Sequence, residues 1–199
     1  MLIKCLTVGP IETNCYIVTD ENTLQCAVID PGDESNTVMD YLEDNHLTAK
    51  YIFLTHGHFD HTMAVNAVQA EIGATVCIHR ADVGTGDYRF TPPAGAVYYG
   101  EGDTFTVGAL TFEVLETPGH TPGGVTLLCD GAMFCGDTLF RDSCGRTDLP
   151  GGDMPTLMQS LKKLSSLPGD YEVYPGHMES STLDRERRFN YYMRYAMGM

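Results

Sequence analysis

Nowhere in the 199 residues does an apolar run approach the ~20 residues that a membrane-spanning helix needs. Basic residues are scarce, with 12 Lys+Arg against 27 Asp+Glu and a formal charge of −15 with histidine neutral. That surplus repels phosphate backbones and anionic membranes, which argues against nucleic-acid and membrane partners and for a small molecule. The seven cysteines include no CxxC pair, and an odd count leaves one thiol over in any disulfide framework. Reduced, intracellular thiols are the simpler expectation. Lys4 interrupts the first apolar run and Gly9-Pro10 follows before a signal-peptide core accumulates. Internal repeats and low-complexity tracts are also lacking. Together these absences predict a soluble, cytoplasmic protein, monomeric or homodimeric.

Apolar residues make up 43% and charged residues 20% of the chain, an ordinary globular balance that predicts one domain over 1–199. The first thirty residues read as a β-meander, with strands expected over 2–8, 14–19 and 24–29. Asp30-Pro31-Gly32-Asp33 breaks it. A helix is expected from Ser35, then a buried strand over 51–54, a polar loop from Thr55 to His61, a helix over 63–72 and a strand over 75–78. Residues 81–102 hold five glycines and two prolines and read as an irregular surface excursion, with Tyr88, Tyr98 and Tyr99 bordering it. A second meander follows over 105–135. Leu157, Leu161, Leu164 and Leu167 mark a helix over 154–167, followed by a short strand at 171–174 and a terminal helix over 180–197. Two meanders, each followed by helices, predict an α/β protein with a four-layer α/β/β/α sandwich.

The chemistry concentrates in Thr55-His56-Gly57-His58-Phe59-Asp60-His61, which puts three imidazoles and a carboxylate between an apolar strand and a helix. A solvated loop gives no reason for this selection of ligand types, so metal binding is expected. His120 in Thr117-Pro118-Gly119-His120, Asp137 in Gly136-Asp137-Thr138 and His177 in Tyr174-Pro175-Gly176-His177 each sit in a glycine-bearing turn after an apolar strand. The shared context joins them to the first loop. His46, near a helix end, reads as a cap, and His79 and most cysteines as structural. The aromatic tail around Tyr191 and Tyr195 is expected to dock on the domain.

In combination, THGHFDH, TPGHTPGG, FCGDTLF and YPGH resemble the metallo-β-lactamase-fold superfamily, and within it the glyoxalase II-like hydrolases. The resemblance implies that His56, His58 and His120 bind one divalent metal, that Asp60, His61 and His177 bind another, and that Asp137 bridges them. Zinc is the expected ion, with iron or manganese as alternatives. Two ions about 3.5 Å apart lower the pKa of a shared water enough to make it a nucleophile. Asp60 is expected to relay its proton. The implied activity is thioester hydrolysis of the S-lactoylglutathione type, with an anionic small-molecule substrate. Asp137 and His61 depart from many true β-lactamases, which counts against β-lactam hydrolysis.

Arg146 falls where glyoxalase II enzymes place a basic residue against glutathione, and its guanidinium suits a carboxylate. Asp148 and Glu179 stand where those enzymes have glutathione-contacting tyrosines, and only 22 residues follow His177, too few for their helical substrate domain. Cys144-Gly145-Arg146-Thr147-Asp148-Leu149 is also similar to persulfide dioxygenases, which use a single iron. That is the alternative; lactonase, phosphodiesterase and nuclease activities rank below it.

Overall fold

The computed structural model describes residues 1–84 and 90–199. Strand β1 (Leu2–Val8), β2 (Thr13–Asp20) and β3 (Gln25–Ile29) form the expected antiparallel meander. Helix α1 (Ser35–Asp44) returns the chain to β4 (Thr48–Phe53), which pairs parallel to β3. The short α2 (Phe59–Thr62) and α3 (Val65–Ile72) lead to β5 (Thr75–His79), again parallel. A single turn of 3-10 helix, Arg80–Asp82, follows.

The next strand corrects the expected excursion. β6 (Val97–Tyr99) adds to the sheet parallel to β5, despite the surrounding glycines. Tyr99 is buried with its hydroxyl donating to the Leu54 carbonyl, and Tyr98 lies under the Arg80 guanidinium at 3.9 Å. Both serve the fold rather than overhanging the site; Tyr88 falls outside the described residues.

A second sheet follows, paired in the order Ser181–Thr182, Glu172–Pro175, Ala132–Gly136, Val125–Cys129, Leu110–Glu116, Thr104–Val107. It is built from β7 (Thr104–Val107), β8 (Leu110–Glu116), β9 (Val125–Cys129) and β10 (Ala132–Gly136). A small hairpin, β11 (Leu139–Phe140) and β12 (Ser143–Cys144), interrupts the order before α4 (Met154–Ser165). β13 (Glu172–Pro175) then joins parallel to β10, and β14 (Ser181–Thr182) closes the edge. In place of one terminal helix there are two, α5 (Leu183–Phe189) and α6 (Tyr191–Met197), broken at Asn190. Asn190 has left the helical region (φ −69°, ψ 118°), and its side-chain oxygen caps the amides of Tyr192 and Met193.

Strand alternation sorts the core into three layers of contact. From β2 to β5, Cys15, Ile17, Val28, Ile52 and Ile78 face Val38, Leu42, Val65 and Val68 of α1 and α3. Their neighbours Tyr16, Val18, Ile29, Phe53 and Cys77 meet Phe112, Val114, Leu127 and Phe134 of the second sheet. On that sheet's far side Met133, Cys135 and Val173 pack against Leu161, Leu164, Leu183 and Met193 of α4, α5 and α6. Three apolar interfaces separate four layers, the α/β/β/α sandwich. The terminal segment docks through Met193, while Phe189, Tyr191 and Tyr195 stay exposed. All seven cysteines are free thiols, five of them buried. Among the described residues no helix is long and apolar enough to cross a membrane.

Candidate metal centre

Five loops meet at one edge of the sandwich, four of them carrying candidate ligands. Those after β4, β8, β10 and β13 supply His56 to His61, His120, Asp137 and His177, and the β1–β2 turn lies beside them. The parallel pairing of β10 with β13 sets Gly136 opposite Pro175, which brings Asp137 next to His177. Cross-ties then lock the two sheets together. The Val125 amide donates to the Thr55 carbonyl at 2.9 Å, and the Asn14 amide to the Gly176 carbonyl at 2.7 Å. Asn14 also donates through Nδ2 to the carbonyls of Pro175 (3.1 Å) and Met178 (2.9 Å), bracketing the His177 turn.

The structure brings all seven sequence-identified residues together. The donor atoms of His56, His58 and His120 all lie within 4.8 Å of one another, as do those of Asp60, His61 and His177. His58 Nδ1 is 2.9 Å from His120 Nε2, and His61 Nε2 is 3.3 Å from His177 Nε2. Two nitrogens bound tetrahedrally at about 2.0 Å would stand about 3.3 Å apart, so these spacings suit ligands of shared ions. Asp137 lies between the groups, Oδ1 3.5 Å from His61 Nε2 and Oδ2 3.5 Å from His120 Nε2.

The donor set fits divalent metals on three further grounds. His56 Nε2 and Asp137 Oδ1 are buried without a hydrogen-bond partner, a costly state that an ion relieves. His120 Nδ1 donates to the Arg146 carbonyl (2.7 Å), His177 Nδ1 to the Glu12 carbonyl (3.3 Å) and His61 Nδ1 to Asp30 (3.0 Å). Each bond turns Nε2 toward the cluster, the arrangement by which proteins orient metal-bound imidazoles. Finally, a Cβ on Gly176 would fall 2.3 Å from Asp137 Oδ1 and 2.7 Å from His61 Cε1, so only glycine lets this turn approach the cluster.

Protonation divides the cluster. Burial, helped by the neighbouring imidazoles, holds His56 well below its ordinary value, and burial with His120 takes His58 down to about 4. Burial also opposes the charged form of His61, but Asp137, Asp30 and Asp60 outweigh it and raise the group to about 9. For Asp60 burial pushes upward, yet the His177 hydrogen bond and the charge of His61 bring it down to about 2.

Two carboxylates escaped the sequence reading. Asp30, read there only as a sheet breaker, is 2% exposed and accepts from the Thr55 amide (2.8 Å), Thr55 Oγ1 (2.6 Å) and His61. It shares the strand-end context of the ligands, a signal that was present. Asp82 is 3% exposed and accepts from the Gly57 amide, Thr121 Oγ1 and the Gly123 amide at 2.6–2.9 Å, clamping the loop of His56 and His58 to that of His120. Nothing in its local sequence marks it.

A cavity of about 520 Å³ opens onto the cluster, with Ser143, Cys144, Arg146 and Leu149 on the side of His120 and Ile11, Phe59 and Met178 also lining it. The β11–β12 hairpin that supplies its wall is held by Asn190, which donates to the carbonyls of Phe140 and Ser143, and by buried Glu186, which accepts from the Asp142 amide. Arg146 forks onto Asp148 with two bonds of 2.7 Å, both side chains exposed, and Arg141 binds Glu179 at 3.0 Å. His79 bridges Glu116 (3.2 Å) and the Ala81 amide, a structural role. The amide of His46 donates to the Glu43 carbonyl past the end of α1, its backbone in the left-handed region.

Residues 8–177 match the metallo-beta-lactamase superfamily. The chain is 31% identical to the hydroxyacylglutathione hydrolase GloC of Haemophilus influenzae, over 96% of this chain and 97% of that one. It is 42% identical to the hydroxyacylglutathione hydrolase of Hahella chejuensis over 75% of this chain, which spans 56% of that longer protein. Among solved structures, the BLEG-1 B3 metallo-beta-lactamase superposes with a TM-score of 0.86 at 32% identity, covering 96% of this chain and 99% of that one. TTHA1623 in a di-iron-bound form gives 0.83 at 35% identity, covering 95% and 99%.

Proposed function

The chain belongs to the metallo-beta-lactamase superfamily, and on that premise we propose a dinuclear metal-dependent hydrolase acting on thioesters of the hydroxyacylglutathione type. The observation that carries the dinuclear reading is the position of Asp137, one oxygen toward His61 and the other toward His120. His56, His58 and His120 would hold one ion, Asp60, His61 and His177 the other, and Asp137 both. Bound there, the metals supply a water acidified toward neutrality and a Lewis acid for the scissile carbonyl. Zinc, iron and manganese all suit imidazole with carboxylate.

The chain's own residues account for the remaining steps. Asp60 lines the cavity beside the cluster, where its carboxylate would take the proton of the attacking water. Asp30 holds His61 with Nε2 facing Asp60 and Asp137, and the Arg146 carbonyl does the same for His120. The Arg146 guanidinium, which lines the cavity and is paired with Asp148, would exchange that carboxylate for one on an anionic thiol. The two hydroxyacylglutathione hydrolases among the relatives support the thioester.

The test is turnover of S-lactoylglutathione by metal-quantified protein. Hydrolysis that Asp137→Ala abolishes together with metal loading is expected. Oxygen uptake on glutathione persulfide with one iron per chain, and no thioester hydrolysis, overturns the reading in favour of a persulfide dioxygenase.

A further inference from the structure

Beside the cavity over the metal cluster lies a second concavity, a groove of about 190 Å³. Val8 at the end of β1 and Pro10 and Ile11 of the turn after it line the groove together with Phe59 and Met63, at the two ends of α2. Ile11, Phe59 and Asp60 line both spaces, so the groove opens directly onto the Asp60 end of the cluster.

Its composition differs from the opposite side of the site. Ile11 and Phe59 are each 48% exposed and Met63 61%, an adjoining set of apolar side chains left in water. The charged side chains lining the groove among the described residues are Asp33 and Asp60, both acidic. Such a groove rejects an anion and rewards an aliphatic group. The basic residue of the site, Arg146, belongs to the other end, where its carbonyl receives the His120 bond, whereas the Ile11-Glu12 turn receives that of His177. A thioester lying across the cluster would therefore have its charged thiol portion toward Arg146 and its acyl portion toward Phe59.

We propose that this groove binds the acyl chain of the substrate and that the preferred substrates are thioesters of unbranched aliphatic acids. The proposal rests on the thioesterase reading and names its acyl class. Its volume holds about six water-sized groups, enough for a chain of about four to eight carbons. A short hydroxyacyl group would stop at the mouth beside Ile11 and Phe59 and gain nothing from Val8, Pro10 and Met63, which line only the groove.

The experiment is a chain-length series on one thiol, S-acetyl-, S-butanoyl-, S-hexanoyl- and S-octanoylglutathione, hydrolysed by metal-loaded wild type, Met63→Glu and Ile11→Ser. In wild type kcat/KM should rise about threefold per methylene up to about six carbons, somewhat less than full burial of each methylene would give because the walls are half open. Both variants should flatten that slope, and calorimetry should show hexanoate binding wild type more tightly than acetate by a similar factor per methylene. Both side chains are exposed, so neither change removes core packing. A flat or falling series with measurable turnover, or slopes unchanged in both variants, overturns the acyl groove while leaving the thioesterase reading intact. Absence of turnover on every chain length while S-lactoylglutathione is hydrolysed overturns the acyl groove alone, and absence on S-lactoylglutathione as well overturns both.

Discussion

Nδ1 of His61 stands 3.0 Å from Oδ2 of Asp30, and both side chains are sealed from solvent. The contact fixes which imidazole nitrogen faces the cluster, and Thr55 fixes Asp30 in turn. A carboxylate behind a metal-bound imidazole is worth tenfold to a hundredfold in metal affinity. Asp30→Asn should therefore weaken binding of one metal by roughly 10–100-fold and leave the other near its wild-type affinity. Competitive titration with a chelating indicator separates the two; equal weakening of both would contradict the assignment of His61 to one ion.

Gly176→Ala should be more severe. Its Cβ would meet the carboxylate of Asp137 and the ring of His61, neither of which can retreat from its place in the cluster. Loss of both metals and of activity is expected, measured as metal content after gel filtration. Full metal loading in this variant would show that the turn has slack that the geometry denies.

Arg146→Ala should raise KM severalfold for thioesters with an anionic thiol and leave kcat unchanged, since its guanidinium is placed to bind and not to react. Because Asp148 occupies the fork, Asp148→Ala should lower KM for the same substrates. Steady-state kinetics on charged and uncharged thioesters checks both, and an equal effect on the two substrate classes would count against the role.

Asn190 caps α6 while its amide holds the hairpin that walls the cavity. Asn190→Ala removes a cap and leaves buried carbonyls unpaired, a cost of about 2 kcal/mol or more. In a chain of this size that lowers Tm by about 4–8 °C, measurable by calorimetry. An unchanged Tm would mean that the hairpin is held by other contacts.

Acid should destabilise the fold through its surface carboxylates. The hydrogen bond from Arg185 holds Asp142 below its ordinary value; burial opposes the charged form of Glu101, but Lys163 and the Glu116 amide still bring it down. Asp153 is likewise lowered by capping Thr156. A carboxyl whose folded pKa is depressed stabilises the fold above its unfolded pKa, and that stability is lost as pH falls through the folded value. Tm should be flat against these groups near pH 6 and fall below about pH 4. A Tm that holds constant from pH 6 to pH 3 would contradict this.

The candidate ligands are legible in the sequence because each lies in a local pattern, an apolar strand ending in a glycine turn, and fixed strand ends converge in a sandwich of this kind. Asp30 carries the same pattern, but Pro31 and Gly32 beside it suffice to explain it as a breaker. Asp82 could not be read, since its three donors come from loops 25 to 41 residues away. β6 was missed for a related reason: Val97–Tyr99 is a strand only because β5 offers a parallel edge, while its own surroundings look irregular. The break at Asn190 lies within an apolar periodicity that continues through it, so only the tertiary bonds of its side chain reveal it.

Two metals held by these seven residues should together be needed for hydrolysis, which is checked by adding metal stepwise to metal-free protein while following S-lactoylglutathione cleavage. Activity should rise to a plateau at two ions per chain. A plateau at one ion per chain, or no thioester cleavage at any loading, would rule out the dinuclear hydrolase.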